Sequence, residues 1–350
     1  MEIIMESLMF FLQVLIFPGI FFLTFVALLW EWVDRKFYAK LQNRVGPYFT
    51  GKKGFLQPLA DFLKLLSKED LTPEQSNKRG FKAAPIVIAI TILFLLMFIP
   101  ITGAKGIISF EGDLLFVLFG SSLIMAVIML SGWFSSSPFA IAGGTRTGLL
   151  MIAYELPLII SLLTPAVIVG SLNISTIITY QLTHGLPFIA IFPIMFGFII
   201  YVIALEAELE RVPFDVSHAE TEIVAGWKVE YSGKKLALLS MVSDLELVFG
   251  AGIATAIFLG GPFLFEFIPL DWAQSIATLA ATTYFGLLYY PLVFLFKSFL
   301  IILILSLFRA LMARLRIDQI INASWKILLP LAILVLLLVH LPSVLALWGL

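Results

Sequence analysis

Long apolar runs separated by short polar stretches make up most of this chain. About 20 apolar residues carry a helix across the hydrocarbon core of a bilayer. By that measure the pattern predicts eight membrane-crossing helices, beginning near residues 7, 84, 114, 148, 187, 237, 282 and 327. Barrel strands are excluded because the runs lack short in–out alternation, and lipid offers no partner to an unpaired peptide group. The expected fold is therefore all-α: a polytopic integral membrane protein with long cytoplasmic loops. Pro157, Pro165, Pro193 and Pro291 fall inside these runs and are expected to bend them. The first run, 7–33, follows Glu2 and Glu6 rather than a basic segment and exceeds a signal-peptide core, so it reads as a retained helix.

The polar stretches divide into three main loops, at 34–83, 206–236 and 309–326. Within the first, Phe55, Leu59, Phe62, Leu63 and Leu66 recur at helical spacing, which predicts an amphipathic helix lying along the membrane interface. The Pro-flanked stretch 262–281 reads as an outer connection with a short surface helix. No internal repeat or low-complexity tract interrupts the chain, so residues 1–350 read as one membrane domain.

Composition agrees with this reading: 61% of residues are apolar, 13% are charged and the mean hydropathy is +1.05. A net charge of -1 gives no reason to expect a nucleic-acid partner; the bilayer is the expected environment. With no cysteine, and with His184, His218 and His340 far apart, the chain has no ligand set for zinc or an iron–sulfur cluster. Any redox centre is expected in a partner. Twenty of the 22 Lys and Arg residues fall in 34–83, 134–147, 206–236 and 309–326, whereas the opposite loops hold only Lys105. The positive-inside rule then places those stretches in the cytoplasm and both termini outside a cell membrane.

A charge near the bilayer centre costs roughly 3 kcal/mol on insertion scales, so such residues usually face protein or water and usually serve function. Glu155, Asp244, Glu246 and Lys297 are of this kind. The segment 206–233 adds seven carboxylates against two basic residues. Desolvation and neighbouring cations act in opposite directions on a buried carboxylate, the balance a proton relay requires. Glu155, Glu208, Glu220, Glu222 and Asp244 are candidates for such a chain. Static ion pairs that fix helix register are the competing reading, and they suit Lys297 better.

Five blocks resemble subunit 1 of respiratory complex I and its counterparts in membrane-bound [NiFe] hydrogenases and related ferredoxin-linked complexes. They are DRKFYAKLQNRVGP (34–47), LQPLADFLKLL (56–66), AYELPL (153–158), the acidic run 206–233 and FRALMARLRIDQIINASWKILLP (308–330). The resemblance implies a coupling role: cytoplasmic loops that wall a chamber below a partner's last iron–sulfur cluster, and buried acids leading toward antiporter-like membrane subunits. It assigns chamber and redox-arm docking to Arg35, Gln42, Arg44, Gln57, Asp61, Lys64, Arg146, Arg211, Arg309, Arg314, Arg316 and Asp318. Ion coupling falls to Glu155, Glu208, Asp215, Glu220, Glu222, Glu230, Asp244, Glu246 and Lys297. No cofactor is expected on this chain. Iron–sulfur clusters, a [NiFe] centre in a hydrogenase-like partner, or a quinone in the chamber would belong to the assembled complex.

The sequence departs from the family pattern around the chamber. Tyr48 follows Gly46 and Pro47 where Asn is usual, Lys52 follows Gly51, Glu210 stands for Asn, and Val212, Ser217, His218 and Ala313 replace other motif residues. An added acid at 210 suits an apolar quinone ring poorly, so these departures favour a ferredoxin-linked ion-translocating complex over a quinone-reducing one. A stand-alone secondary transporter would explain intramembrane charges, but transporters of this size commonly carry repeats and paired broken helices, which are not visible here. A purely structural anchor for soluble subunits is a third reading.

Overall fold

The computed structural model describes residues 2–282 and 284–347; among these it is helical, without strands. In chain order the helices are α1 (Glu2–Leu15), α2 (Ile20–Leu41), α3 (Gln57–Ser67), α4 (Lys78–Leu95), α5 (Asp113–Phe134), α6 (Pro138–Val169) and α7 (Ile174–His184). They continue with α8 (Phe192–Glu208), α9 (Glu220–Ile223), α10 (Gly233–Phe258), α11 (Asp271–Thr282), α12 (Gly286–Leu311), α13 (Ile317–Ala323) and α14 (Leu329–Leu347). Seven stretches are long and apolar enough to cross a membrane: Ser7–Leu41, Lys78–Phe98, Asp113–Phe134, Pro138–Val169, Gly233–Phe258, Gly286–Leu311 and Ile317–Leu341. The eighth expected span is α8, whose 17 residues reach about 25 Å and lie at the short limit for crossing.

Several expected boundaries move. The run at 7–33 is not one helix: it breaks at Pro18–Gly19, and α2 then continues eight residues past Val33, to Leu41. The loop expected at 34–83 therefore shrinks to 42–77, with the amphipathic helix in place as α3. Helix α6 starts at Pro138, ten residues before its apolar run, because the Gly- and Ala-rich segment 140–148 packs closely on the loop at Gly226 and Trp227. The acidic loop begins after α8, which contains Glu206 and Glu208, and ends where α10 starts at Gly233. The last loop narrows to 312–316, since Arg309 belongs to α12 and Asp318 to α13. In α2 the buried, paired Asp34 lets the helix run beyond its apolar stretch. Pro157, Pro165 and Pro291 lie inside helices as expected, whereas Pro193 occupies the first turn of α8, where no N–H is lost.

The core centres on α10, which packs against α2, α3, α4 and α12. Every residue from Leu247 to Phe258 of α10 is buried. Gly250 permits this approach: a Cβ there would lie 2.3 Å from Leu205 of α8. Small residues at such contacts matter in lipid, where close van der Waals packing replaces the hydrophobic drive between helices. The expected outer connection contains α11, and the buried Gln181 of α7 ties that end together by donating to the Ile257 carbonyl and accepting from the Phe188 N–H, both at 3.0 Å.

Candidate functional site: a carboxylate-lined cavity

Helix α2 places Glu31, Asp34 and Arg35 on neighbouring turns. Arg35 bonds Glu31 at 2.5 Å and Asp61 of α3 at 2.6 Å, and the Gln57 amide donates to Asp61 at 2.8 Å. Asp34 is fully buried. It accepts from the Ser306 hydroxyl and from Arg309 at 2.9 Å, both on α12, and faces Arg211 at 3.5 Å. At this end α2 and α12 thus hold one wall of a polar site by ion pairs, one turn of α2 beyond the contact of Trp30 with Phe299.

The loop after α8 supplies the opposite wall. Glu210 has φ +49°, a left-handed conformation costly for a side chain with a Cβ, and three partners fix it there. The Thr147 hydroxyl donates at 2.6 Å, the Trp227 indole N–H donates at 3.0 Å, and His218 Nε2 lies at 2.7 Å. Burial works to raise the Glu210 pKa, but His218, Lys228 and the Thr147 bond outweigh it and hold the carboxyl well below the usual range. Burial likewise works against the Arg211 charge, and the carboxylates of Asp34, Glu206 and Glu31 outweigh it to raise that pKa. Arg314 grips Asp215 through two parallel bonds, which pins the last loop across the acidic one. Arg146 holds Glu222 at 2.5 Å and donates to the Val216 carbonyl at 3.2 Å.

Between these walls lies a cavity of about 320 Å³. Six carboxylates border it: Glu31, Glu208, Glu210, Asp215, Asp244 and Glu246. Arg211, Lys228, Arg309 and His218 face them. Glu208 also borders two smaller cavities of about 20 Å³ each, one shared with Ser121, Ser122 and Glu155, the other with Ser121 and Glu246. Each is large enough for one water, which needs about 10–15 Å³. The Ser122 hydroxyl donates to Glu155. A line of carboxylates and hydroxyls therefore runs from the polar cavity past Glu208 to Glu155 on α6.

A family model described as NADH dehydrogenase matches residues 13–340, nearly the whole chain. The chain belongs to the complex I subunit 1 family. Relatives named as a subunit of NADH-quinone oxidoreductase include one from Dehalococcoides mccartyi, 35% identical over 307 residues, covering 87% of this chain and 79% of the relative. One from Bacteroides thetaiotaomicron is 34% identical over 315 residues, covering 89% and 85%. One from Bacteroides fragilis is 33% identical over 309 residues, covering 88% and 84%. The complex I subunit 1 family comprises membrane subunits, in keeping with the apolar helices found here.

Within this subunit 1 chain the expected site residues separate into groups. Glu155, Glu208, Asp215, Asp244, Glu246, Arg211 and Arg309 gather at the three cavities. Arg35, Gln57 and Asp61 form the adjoining α2–α3 network, and Arg146 with Glu222 and Arg314 with Asp215 brace the acidic loop. Gln42, Arg44, Lys64, Glu220, Arg316 and Asp318 are exposed, and Glu230 is half-buried; none of these borders the cavity. Lys297 stands apart: its ammonium donates to the carbonyls of Leu259 at 2.5 Å, Gly261 at 2.9 Å and Phe263, past the end of α10.

Four acids at the site are not singled out by sequence pattern. Glu31 and Asp34 stand at the end of an apolar run and pass for loop charges; their three-residue spacing on one helix face is the available signal. Glu206 reads as a loop acid, yet it is buried in α8 and neither carboxylate oxygen has a hydrogen-bond partner among the described residues. Glu210 reads only as a departure from the family pattern, whereas it anchors Trp227, Thr147 and His218.

Proposed function

We propose that this chain is the membrane coupling subunit of a complex-I-type oxidoreductase. It docks a peripheral redox arm through its polar loops and links electron transfer elsewhere to ion translocation through buried carboxylates. The observation that carries this reading is the position of Glu208, which borders the polar cavity and both one-water cavities that lead to Glu155 and Glu246. A proton taken up at the cavity has a hydrogen-bonding route into the helices there, toward antiporter-like neighbours. The chain itself supplies no redox group, so iron–sulfur clusters belong to the peripheral arm.

The names of the relatives support quinone as the electron acceptor, and a 320 Å³ cavity falls within the size range of small-molecule sites. A second reading is a ferredoxin-linked complex with a hydrogenase-like arm and no quinone. One observation favours it: the buried charge of Glu210 in the cavity wall, which suits water and protons better than an apolar ring. Under either reading the loops 42–77, 209–232 and 312–316 face the cytoplasm of a cell membrane.

The test is to isolate the complex from its native membrane, identify its subunits by mass spectrometry, and assay reduced ferredoxin and quinone as redox partners with ion uptake in vesicles. Quinone reduction with ion uptake supports the first reading, and ferredoxin oxidation beside a hydrogenase-like subunit supports the second. Purification of the chain without any redox subunit would overturn both.

A further inference from the structure

On the opposite side of α2 from the acid cavity runs a second hollow of about 540 Å³, between α2, the segment 44–53 and α12. Its wall is apolar, built from Trp32, Val33 and Phe37 of α2 with Phe299 and Leu303 of α12. Its rim is basic: Lys36, Lys40, Arg44 and Lys53. No carboxylate borders it. The rim stands at the polar end of α2, and a tryptophan beside it is typical of the level where headgroups begin.

Like Lys52 and Lys64 nearby, these four cations have no carboxylate within ion-pair distance among the described residues, but only these four gather around an apolar hollow. Arg35, Arg146, Arg211, Lys235, Arg309 and Arg314 each have a carboxylate within ion-pair distance. Lys36 donates to the Val45 carbonyl at 3.2 Å, and Arg44 lies 5.6 Å from the centre of the Tyr38 ring. Four positive charges gathered without a carboxylate repel one another, and an anion between them removes that cost. The apolar wall directly beneath narrows the choice of anion. Inorganic phosphate would satisfy the rim and leave the wall bare, whereas an acyl chain covers the wall and its phosphate meets the rim.

We propose that this groove binds one anionic phospholipid, its phosphate among Lys36, Lys40, Arg44 and Lys53 and an acyl chain along Phe37, Phe299 and Leu303. The bound lipid fastens the end of α2 to α12, next to the segment that carries Gly46 and Pro47. This site is separate from the carboxylate cavity and does not depend on which electron acceptor the complex uses.

The experiment uses the whole complex, exchanged into nanodiscs of phosphatidylcholine with a minor share of phosphatidylglycerol, with retained lipids counted by native mass spectrometry. The wild type is expected to retain phosphatidylglycerol over phosphatidylcholine by about tenfold, and to lose that preference in high salt. Lys40→Gln/Arg44→Gln, at two exposed positions, is expected to bring the ratio near parity. Leu303→Trp keeps every charge and fills the groove, and is expected to release the lipid as well. Lys78→Gln/Lys82→Gln, outside the groove, is the control that retains it.

Equal retention in the wild type and both groove variants would overturn the proposal. So would displacement of phosphatidylglycerol by inorganic phosphate at a concentration where chloride of the same ionic strength leaves the lipid bound, which would mark a simple phosphate site. A photo-crosslinker at Leu303 that captures a partner subunit instead of lipid would overturn it too.

Discussion

Arg309, in the last turn of α12, donates to the buried Asp34 of α2 at 2.9 Å across 275 residues of sequence. The Ser306 hydroxyl, one turn earlier, donates to the same carboxylate, and Arg211 approaches it from the acidic loop. Removing the carboxylate leaves the part-buried Arg309 without an ion-pair partner and Arg211 with Glu31 alone, at 4.0 Å. Asp34→Ala is therefore expected to cost about 3 kcal/mol, the lower end for a broken buried pair because Arg309 stays a third exposed. The check is the thermal unfolding midpoint of the purified complex, and an unchanged midpoint would remove Asp34 from the framework of the cavity.

Glu208 is the junction of three cavities, so its proton, rather than its packing, is expected to matter. Glu208→Gln preserves shape and hydrogen bonding but cannot release a proton. Ion uptake per electron should fall by about 100-fold, the lower end for loss of a positioned proton-transfer group, while the thermal midpoint holds. Glu155→Gln should act in the same direction. Lys105→Gln, far along the chain in an opposite loop, is the control for a change of charge alone. Undiminished uptake in both carboxylate variants would rule out the relay.

Glu210 gives a dependence on pH with a definite sign. Its folded pKa lies below the ordinary value of 4.5, so its ionised form is bound more tightly in the fold than in the unfolded chain. The stability it contributes is present above about pH 4.5 and is lost as pH falls toward the folded value. Acid unfolding curves of the wild type should drop more steeply below pH 4.5 than those of Glu210→Gln, which has no proton to bind. Parallel curves would contradict the pairing with His218.

Gly143 tests the close contact between α6 and the acidic loop. A Cβ there would stand 2.4 Å from the Trp227 backbone nitrogen, with Gly226 just beyond. The backbone cannot rotate aside as a side chain can. Gly143→Ala is expected to destabilise the protein by about 1–3 kcal/mol, the range for overpacking. It should also displace the Trp227 indole from Glu210, which a shift in acid sensitivity would report together with the midpoint.

The hydrophobic pattern alone determined the class of this protein, the approximate positions of the seven helices long and apolar enough to cross, and the amphipathic α3, because lipid admits only helices and their length is set by the bilayer. Glu155, Asp244 and Glu246 were legible for a related reason, since charge inside an apolar run is costly and stands out, whereas Arg211 and Asp61 were picked out only by the resemblance of their blocks to the family. Tertiary structure decided which charges meet. Glu31 and Asp34 look alike as residues at the end of a span, and only the approach of α3, α12 and the loop at Arg211 separates their partners. Glu220 and Glu222 lie two residues apart in one acidic run, yet Glu222 has Arg146 and Glu220 faces outward. Pairing depends on distances between elements remote in sequence, and hydropathy carries no record of those.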